Sequence, residues 1–193
     1  MSQELIGGYS AWNFDLDATA KNVFEQALED IIGVDYAPIA SSTQVVNGTN
    51  YCFLASGTPV VLEEHRRVFL AKIFVYVDPN NDVHLIDIQQ VAPIPRGLMG
   101  GWTSWSFPAS ADAMQVFDKA LDGWRGVEYK AVGNTSRVIA GAVYCFLTKA
   151  TPVYPNAKTG ASLVTIVAPL NESPHIESIT KVMPGQAVAA PVA

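Results

Sequence analysis

The sequence predicts an α+β protein built as two tandem units, each one helix packed on a four-stranded antiparallel sheet. Three observations predict this. The chain repeats itself at a fixed offset, and each copy opens with one stretch of helical apolar spacing. The remainder of each copy is rich in Val, Ile, Tyr, Phe and Thr, interrupted by short turn segments.

The repeat comes first, because it decides how every later element is grouped. Ile6–Phe14 (IGGYSAWNF) lies over Met99–Phe107 (MGGWTSWSF), and Val23–Leu28 over Val116–Leu121. Gly33–Tyr36 lies over Gly126–Tyr129 and Tyr51–Val60 over Tyr144–Val153, always at an offset of 93. From Gly7 to Val60, 22 of 54 positions are identical without a gap. Beyond Val60 the copies diverge, and His84-Leu85 meets His175-Ile176 once about two residues are removed from the preceding loop of the second copy. Pro93 and Pro95 stop the last strand of the first copy and Gly97 lets the chain turn, which sets the units at 1–94 and 95–193. Units of this size fold alone only marginally, so contact between them within the chain is expected.

The helix of the first unit is predicted over residues 15–32. Ala20, Val23, Phe24, Ala27, Leu28 and Ile31 recur at three and four, Asp15 and Asp17 stand near its positive end, and Gly33 is its stop. In the second unit Ser110 is the N-cap, Ala113, Val116, Phe117, Ala120, Leu121 and Trp124 form the stripe, and Gly126 is the stop. Four strands come next in the first unit, at about Val34–Val46, Thr49–Val60, Val68–Val77 and Val83–Val91. Short connections between sequential strands make the sheet an antiparallel meander.

At 193 residues, with 49% hydrophobic and 16% charged, the chain has ample material for packed cores. Its formal net charge of −6 argues against a nucleic acid or an anionic membrane surface as partner. No run approaches the roughly 18 apolar residues of a membrane span, and the start MSQELIGGYS lacks the layout of a secretory leader. A cytoplasmic location is therefore expected, with a secreted mature form as the alternative. No cofactor or metal is expected, because nucleotide, zinc and serine-hydrolase motifs are missing and the two cysteines have no ligand spacing.

The first hairpin reads Gln44-Val45-Val46-Asn47-Gly48-Thr49-Asn50-Tyr51, and Asn-Gly is the dipeptide of a type I′ turn. A helix, a strand, Q-V-V-x-G-T-N-Y and then further antiparallel strands resemble the cystatin family, in particular its disulfide-free stefin type and plant relatives. The resemblance implies a tandem pair of cystatin-like units and a function without catalysis, the blocking of a papain-like cysteine protease. The suspected protease-binding residues are Gly7 and Gly8, matching the family's N-terminal glycine, and Gln44, Val45, Val46, Asn47 and Gly48, matching its first binding loop. Asp78–Asp82 occupies the last hairpin of the wedge. Unit 2 carries Arg137-Val138-Ile139-Ala140-Gly141 at the equivalent tip, so the implied activity rests on unit 1. Trp12 and Trp105, in Gly-Gly-aromatic-x-x-Trp before each helix, belong to no cystatin pattern and make the Gly-Gly segment look anchored.

Cys52 and Cys145 occupy equivalent strand positions and read as small buried hydrophobes, the alternatives being a disulfide across the pseudo-dyad or a reactive thiol. Glu63–Arg67 reads as a solvated loop. The competing function is a duplicated cystatin-like structural or interaction module without inhibitory activity. An enzyme working in a cavity between helix and sheet is the third reading, for which no acid–base pair can be named.

Overall fold

The computed structural model describes residues 8–95 and 100–185. Strands β1 (Val34–Val46), β2 (Gly48–Pro59), β3 (Phe69–Val77) and β4 (Val83–Gln90) form one antiparallel sheet in that order. Strands β5 (Val127–Ile139), β6 (Gly141–Pro152), β7 (Gly160–Ala168) and β8 (His175–Val182) form the second. Helix α1 (Ala18–Leu28) precedes the first sheet and α2 (Ala111–Ala120) the second. The protein is thus α+β, with two helices and two four-stranded antiparallel sheets among the described residues. The copies agree to the level of their irregularities. A bulge at Pro38/Ala40 recurs at Ala131/Gly133, and one at Phe74/Val75 recurs at Thr165/Ile166. The loss of two residues falls between the second and third strands, where 60–68 corresponds to 153–159.

Both helices are shorter than their apolar spacing predicts. Asp17 is the N-cap of α1, its Oδ1 accepting the Ala20 N–H at 2.7 Å, and Asp15 lies ahead of the helix. α1 ends at Leu28, so Ile31 is exposed and Gly33, at φ +88°, leads into β1 and does not end the helix. Glu29 and Asp30 explain the early stop, because negative charge at the carbonyl end of a helix is unfavourable. α2 has Ser110 as its N-cap, but it ends at Ala120 ahead of Gly123 (φ +74°), leaving Trp124 exposed and Gly126 well past the end. The segment Glu63–Arg67 is exposed except for half-buried Arg67, and folds a single 3₁₀ turn at Glu63–His65.

The apolar runs in the strands explain how the layers stack. In β2, Cys52, Phe53, Leu54 and Ala55 are all fully buried although their side chains alternate between faces, which requires cover on both sides of the sheet. On one side α1 lays Ala20, Val23 and Phe24 against Phe53, Ala55, Phe69, Ala71, Ile73 and Val75, with Phe24 edge-on to Phe53 at 5.1 Å. In unit 2, Ala113 and Phe117 cover Phe146, Val164 and Ile166 in the same way. The other faces meet each other. Cys52, Leu54, Leu70 and Phe74 form one cluster with Cys145, Leu147, Ala161 and Val182, closed by Trp12 and Trp105. Each fully buried Leu there contributes roughly 2 kcal/mol by removal from water. The order of layers is helix, sheet, sheet, helix.

The segments before the helices hold the sheets in place. Trp12 Nε1–H donates to the Val182 carbonyl at 2.7 Å, the Trp105 amide donates to Val68 O at 2.9 Å, and the Val68 amide donates to Ser104 Oγ at 2.7 Å. Val182 ends β8 and Val68 precedes β3, so each contact is made at the sheet end away from that unit's first hairpin. The units are therefore packed head to tail, with their first hairpins directed to opposite ends of the double sheet.

Candidate functional site

The first hairpin of unit 1 turns very tightly, with Val46 opposite Gly48 in the register. Gly48 has φ +107°, whereas Asn47 is not at positive φ, so the turn is not the type I′ that Asn-Gly predicts. Two positive-φ residues define that type, and here the partner hairpin takes over part of its role. The Tyr76 hydroxyl donates a short hydrogen bond to the Asn47 carbonyl, fixing the tip from β3. A Cβ at Gly48 would lie 2.4 Å from Val77 O, which is why only glycine fits.

Three pieces come together at this end of the sheet. Val45 is 77% exposed, and Val46 and Asn47 are exposed beside it. The Asp78–Asp82 turn stands alongside, because Thr49 pairs with Val77. The segment before α1 runs antiparallel to the free edge of β1, with the Ser10 amide donating to Thr43 O at 2.7 Å and the Asn13 amide to Ser41 O at 2.8 Å. Its direction brings exposed Gly8 alongside the Gln44–Val46 end of β1; Gly7 lies outside the described residues. Half-buried Gln44 braces the hairpin, its Oε1 accepting from Asn50 Nδ2 at 2.9 Å. Within the second turn, the Asp82 amide first, and then Asn80 and His84, hold the Asp78 carboxyl below the usual range against a smaller opposing effect of burial. His84 stacks on Tyr76 with ring centres 6.1 Å apart.

Tyr76 is not among the residues that the sequence pattern singles out. Its signal is faint, a tyrosine two positions before an Asp-Pro turn. The equivalent tip of unit 2 keeps the shape, with Gly141 at φ +113° and Val138 75% exposed. It loses the glutamine brace, because Arg137 lies over the Trp102 ring at 4.9 Å.

Trp12, only 4% exposed, and Trp105 are buried between the sheets, so the Gly8 segment is tethered four residues from its glycine. Cys52 and Cys145 are free, buried thiols in the same cluster. Burial pushes both up to about 12, opposed by Lys72 at Cys52 and by a hydrogen bond with Thr165 at Cys145. Neither thiol of the folded protein is expected to react with a disulfide reagent at pH 8, and both react once the chain is unfolded, which a thiol titration with and without denaturant checks.

A polar hollow of about 390 Å³ lies behind the tip, lined by Ser10, Asn13, Asp17, Ser41, Thr43 and Tyr51 among others. Its carboxylate, Asp17, is engaged in capping α1. Among the described residues, no three His, Cys, Asp or Glu side chains group as a metal site, and no helix is long and apolar enough to cross a membrane.

No family model and no curated protein matches this chain. Among solved structures it is similar to one described as an Ntf2-like protein involved in plasmid conjugation. That likeness amounts to 9% identity and a TM-score of 0.26 over 78% of this chain and 79% of the other, too little to bear on fold or function.

Proposed function

We propose that the protein is a non-enzymatic inhibitor of cystatin type, and that the unit 1 tip enters the active-site cleft of a papain-like cysteine protease. The observation that carries this reading is the convergence of exposed Val45 and Val46, the neighbouring Asp78–Asp82 turn and the Gly8 segment at one end of a sheet. Such an edge works by shape. Two aliphatic side chains on a rigid hairpin bury apolar surface on docking, and a tip already held by Tyr76 and Asn50 loses little entropy.

The test is inhibition of papain by the full chain. Val45→Asp is expected to raise the inhibition constant at least tenfold, since a contact worth roughly 1.5–3 kcal/mol is replaced by a charge that must be desolvated. Val138→Asp, at the far end of the molecule, leaves inhibition unchanged. Absence of inhibition at micromolar protein would sink the proposal.

One observation favours a second reading, a duplicated cystatin-like interaction module. Unit 2 also displays an aliphatic pair, Val138 and Ile139, at a tip directed the opposite way. A bivalent module binds one partner per tip, so its binding is weakened comparably by Val45→Asp and by Val138→Asp.

A further inference from the structure

The first hairpin of unit 2 carries an arginine whose hydrogen-bonding capacity is unused. Arg137 stands opposite Val143 in the register and two residues before Ile139, on the same face of the sheet. This is the face of Cys145 and Leu147, which packs on unit 1, so half-buried Arg137 lies at the rim of the core between the sheets. Its guanidinium lies over the half-buried Trp102 ring at 4.9 Å, and its Nε is sealed from solvent without a hydrogen-bond partner. Among the described residues it has no ion pair either. Glu172, the acidic residue of the neighbouring turn between β7 and β8, is exposed and is not paired with it. In a chain with 18 acidic and 12 basic residues, a cation left without a carboxylate is unexpected.

The duplication shows what has changed. In unit 1 the matching side chains satisfy one another, Gln44 Oε1 accepting from Asn50 Nδ2 at 2.9 Å. At the offset of 93, Gln44 is matched by Arg137, Asn50 by Val143 and Tyr9 by Trp102. Valine takes away the polar neighbour across the strand pair, and tryptophan supplies the aromatic face that best holds a guanidinium. A buried donor left unpaired costs stability, so the three exchanges together fit a group whose partner comes from outside the chain. Nε alone is sealed, which leaves the Nη edge to meet that partner. Exposed apolar side chains stand close by, Ile139 on the same face and Leu170, 83% exposed, in the turn that abuts Gly141.

We propose that this tip binds a carboxylate flanked by apolar residues, a glutamate within an extended aliphatic segment of a partner protein. Arg137 takes the carboxylate in the plane of its guanidinium, Trp102 supports the face of that plane, and Ile139 and Leu170 receive the neighbours of the glutamate. Arginine suits the role because its planar fork matches the two oxygens of a carboxylate. The proposal gives unit 2 a ligand of its own and does not depend on what unit 1 binds.

NMR titration of the isotope-labelled full chain with acetyl-Leu-Glu-Leu-amide tests this. Saturable shifts are expected at the Arg137 Nε–H and Trp102 indole signals and at the amides of Ile139 and Leu170. Acetyl-Leu-Gln-Leu-amide, which lacks the charge, binds at least about tenfold more weakly, as losing a charge-assisted hydrogen bond implies. Acetate, which lacks the aliphatic neighbours, is weaker by a similar factor. The double substitution Arg137→Gln with Val143→Asn copies the unit 1 pair into unit 2; it is expected to leave the unfolding transition in place and to weaken the peptide at least tenfold. Val45→Asp, at the other end of the molecule, leaves peptide affinity unchanged. Absence of saturable shifts up to about 10 mM peptide, a weaker range than a specific short-peptide contact occupies, overturns the proposal. So do shifts centred away from Arg137, a glutamine peptide or acetate that binds equally well, and affinity that survives the double substitution.

Discussion

Replacing Trp12 with alanine is expected to destabilise the protein by about 3–5 kcal/mol, the cost of removing a large buried aromatic from a packed core. The site leaves little room for a smaller effect. The indole lies in the cluster formed by both sheets, and its N–H satisfies the Val182 carbonyl of the other unit in a buried hydrogen bond of 2.7 Å. Truncation opens a cavity and orphans that carbonyl together. Trp12→Phe separates the two contributions: it keeps most of the apolar volume and loses the donor, for an expected cost of about 1–3 kcal/mol. Denaturant unfolding of both variants checks the order. Hydrogen exchange then locates the effect, because the substitution is in unit 1 while the lost protection includes β7 and β8 of unit 2. If the units were merely tethered, Trp12→Ala would leave those strands untouched.

The second large effect is expected at Gly48. Alanine there meets two obstacles, a φ of +107° that a side chain disfavours and a Cβ position 2.4 Å from Val77 O. Backbone strain of this kind costs about 1–3 kcal/mol, and forcing atoms into a closed space costs about as much again, so a loss of about 3 kcal/mol is expected. Gly126 provides the control. Its φ is +89° but nothing lies within 4 Å of the added carbon, so Gly126→Ala should cost only the strain, about 1 kcal/mol. Thermal or denaturant unfolding of the pair tests the difference. Equal losses would mean that the contact between the two hairpins is unimportant. Because Gly48→Ala is expected to disturb the fold, it cannot by itself report on protease binding; Val45→Asp, on an exposed side chain, serves that purpose.

The strands are legible in the sequence almost to the residue. Val34–Val46 is observed with the ends its pattern predicts, and the other three strands of unit 1 lie within a residue of theirs, because β-branched and aromatic runs bounded by turn residues leave few alternatives. The helices are shorter than their spacing suggests. Ile31 and Trp124 continue the apolar stripe, but acidic residues in α1 and Gly123 in α2 end the hydrogen bonding first. The hairpin stands where the sequence places it with a different turn type, since Asn-Gly predicts an isolated turn whereas this one is held from β3 by Tyr76.

By itself the sequence determined the duplication, the α+β class, the antiparallel meander and the position of the exposed Val45–Val46 tip. Each of these depends on local pattern and short-range pairing, which a linear reading captures. Only the tertiary structure decided that Trp12 and Trp105 reach across to the other unit and that the sheets pack face to face and head to tail. Those outcomes depend on burying two apolar sheet faces together, and residues as distant as Trp12 and Val182 meet only when both sheets exist.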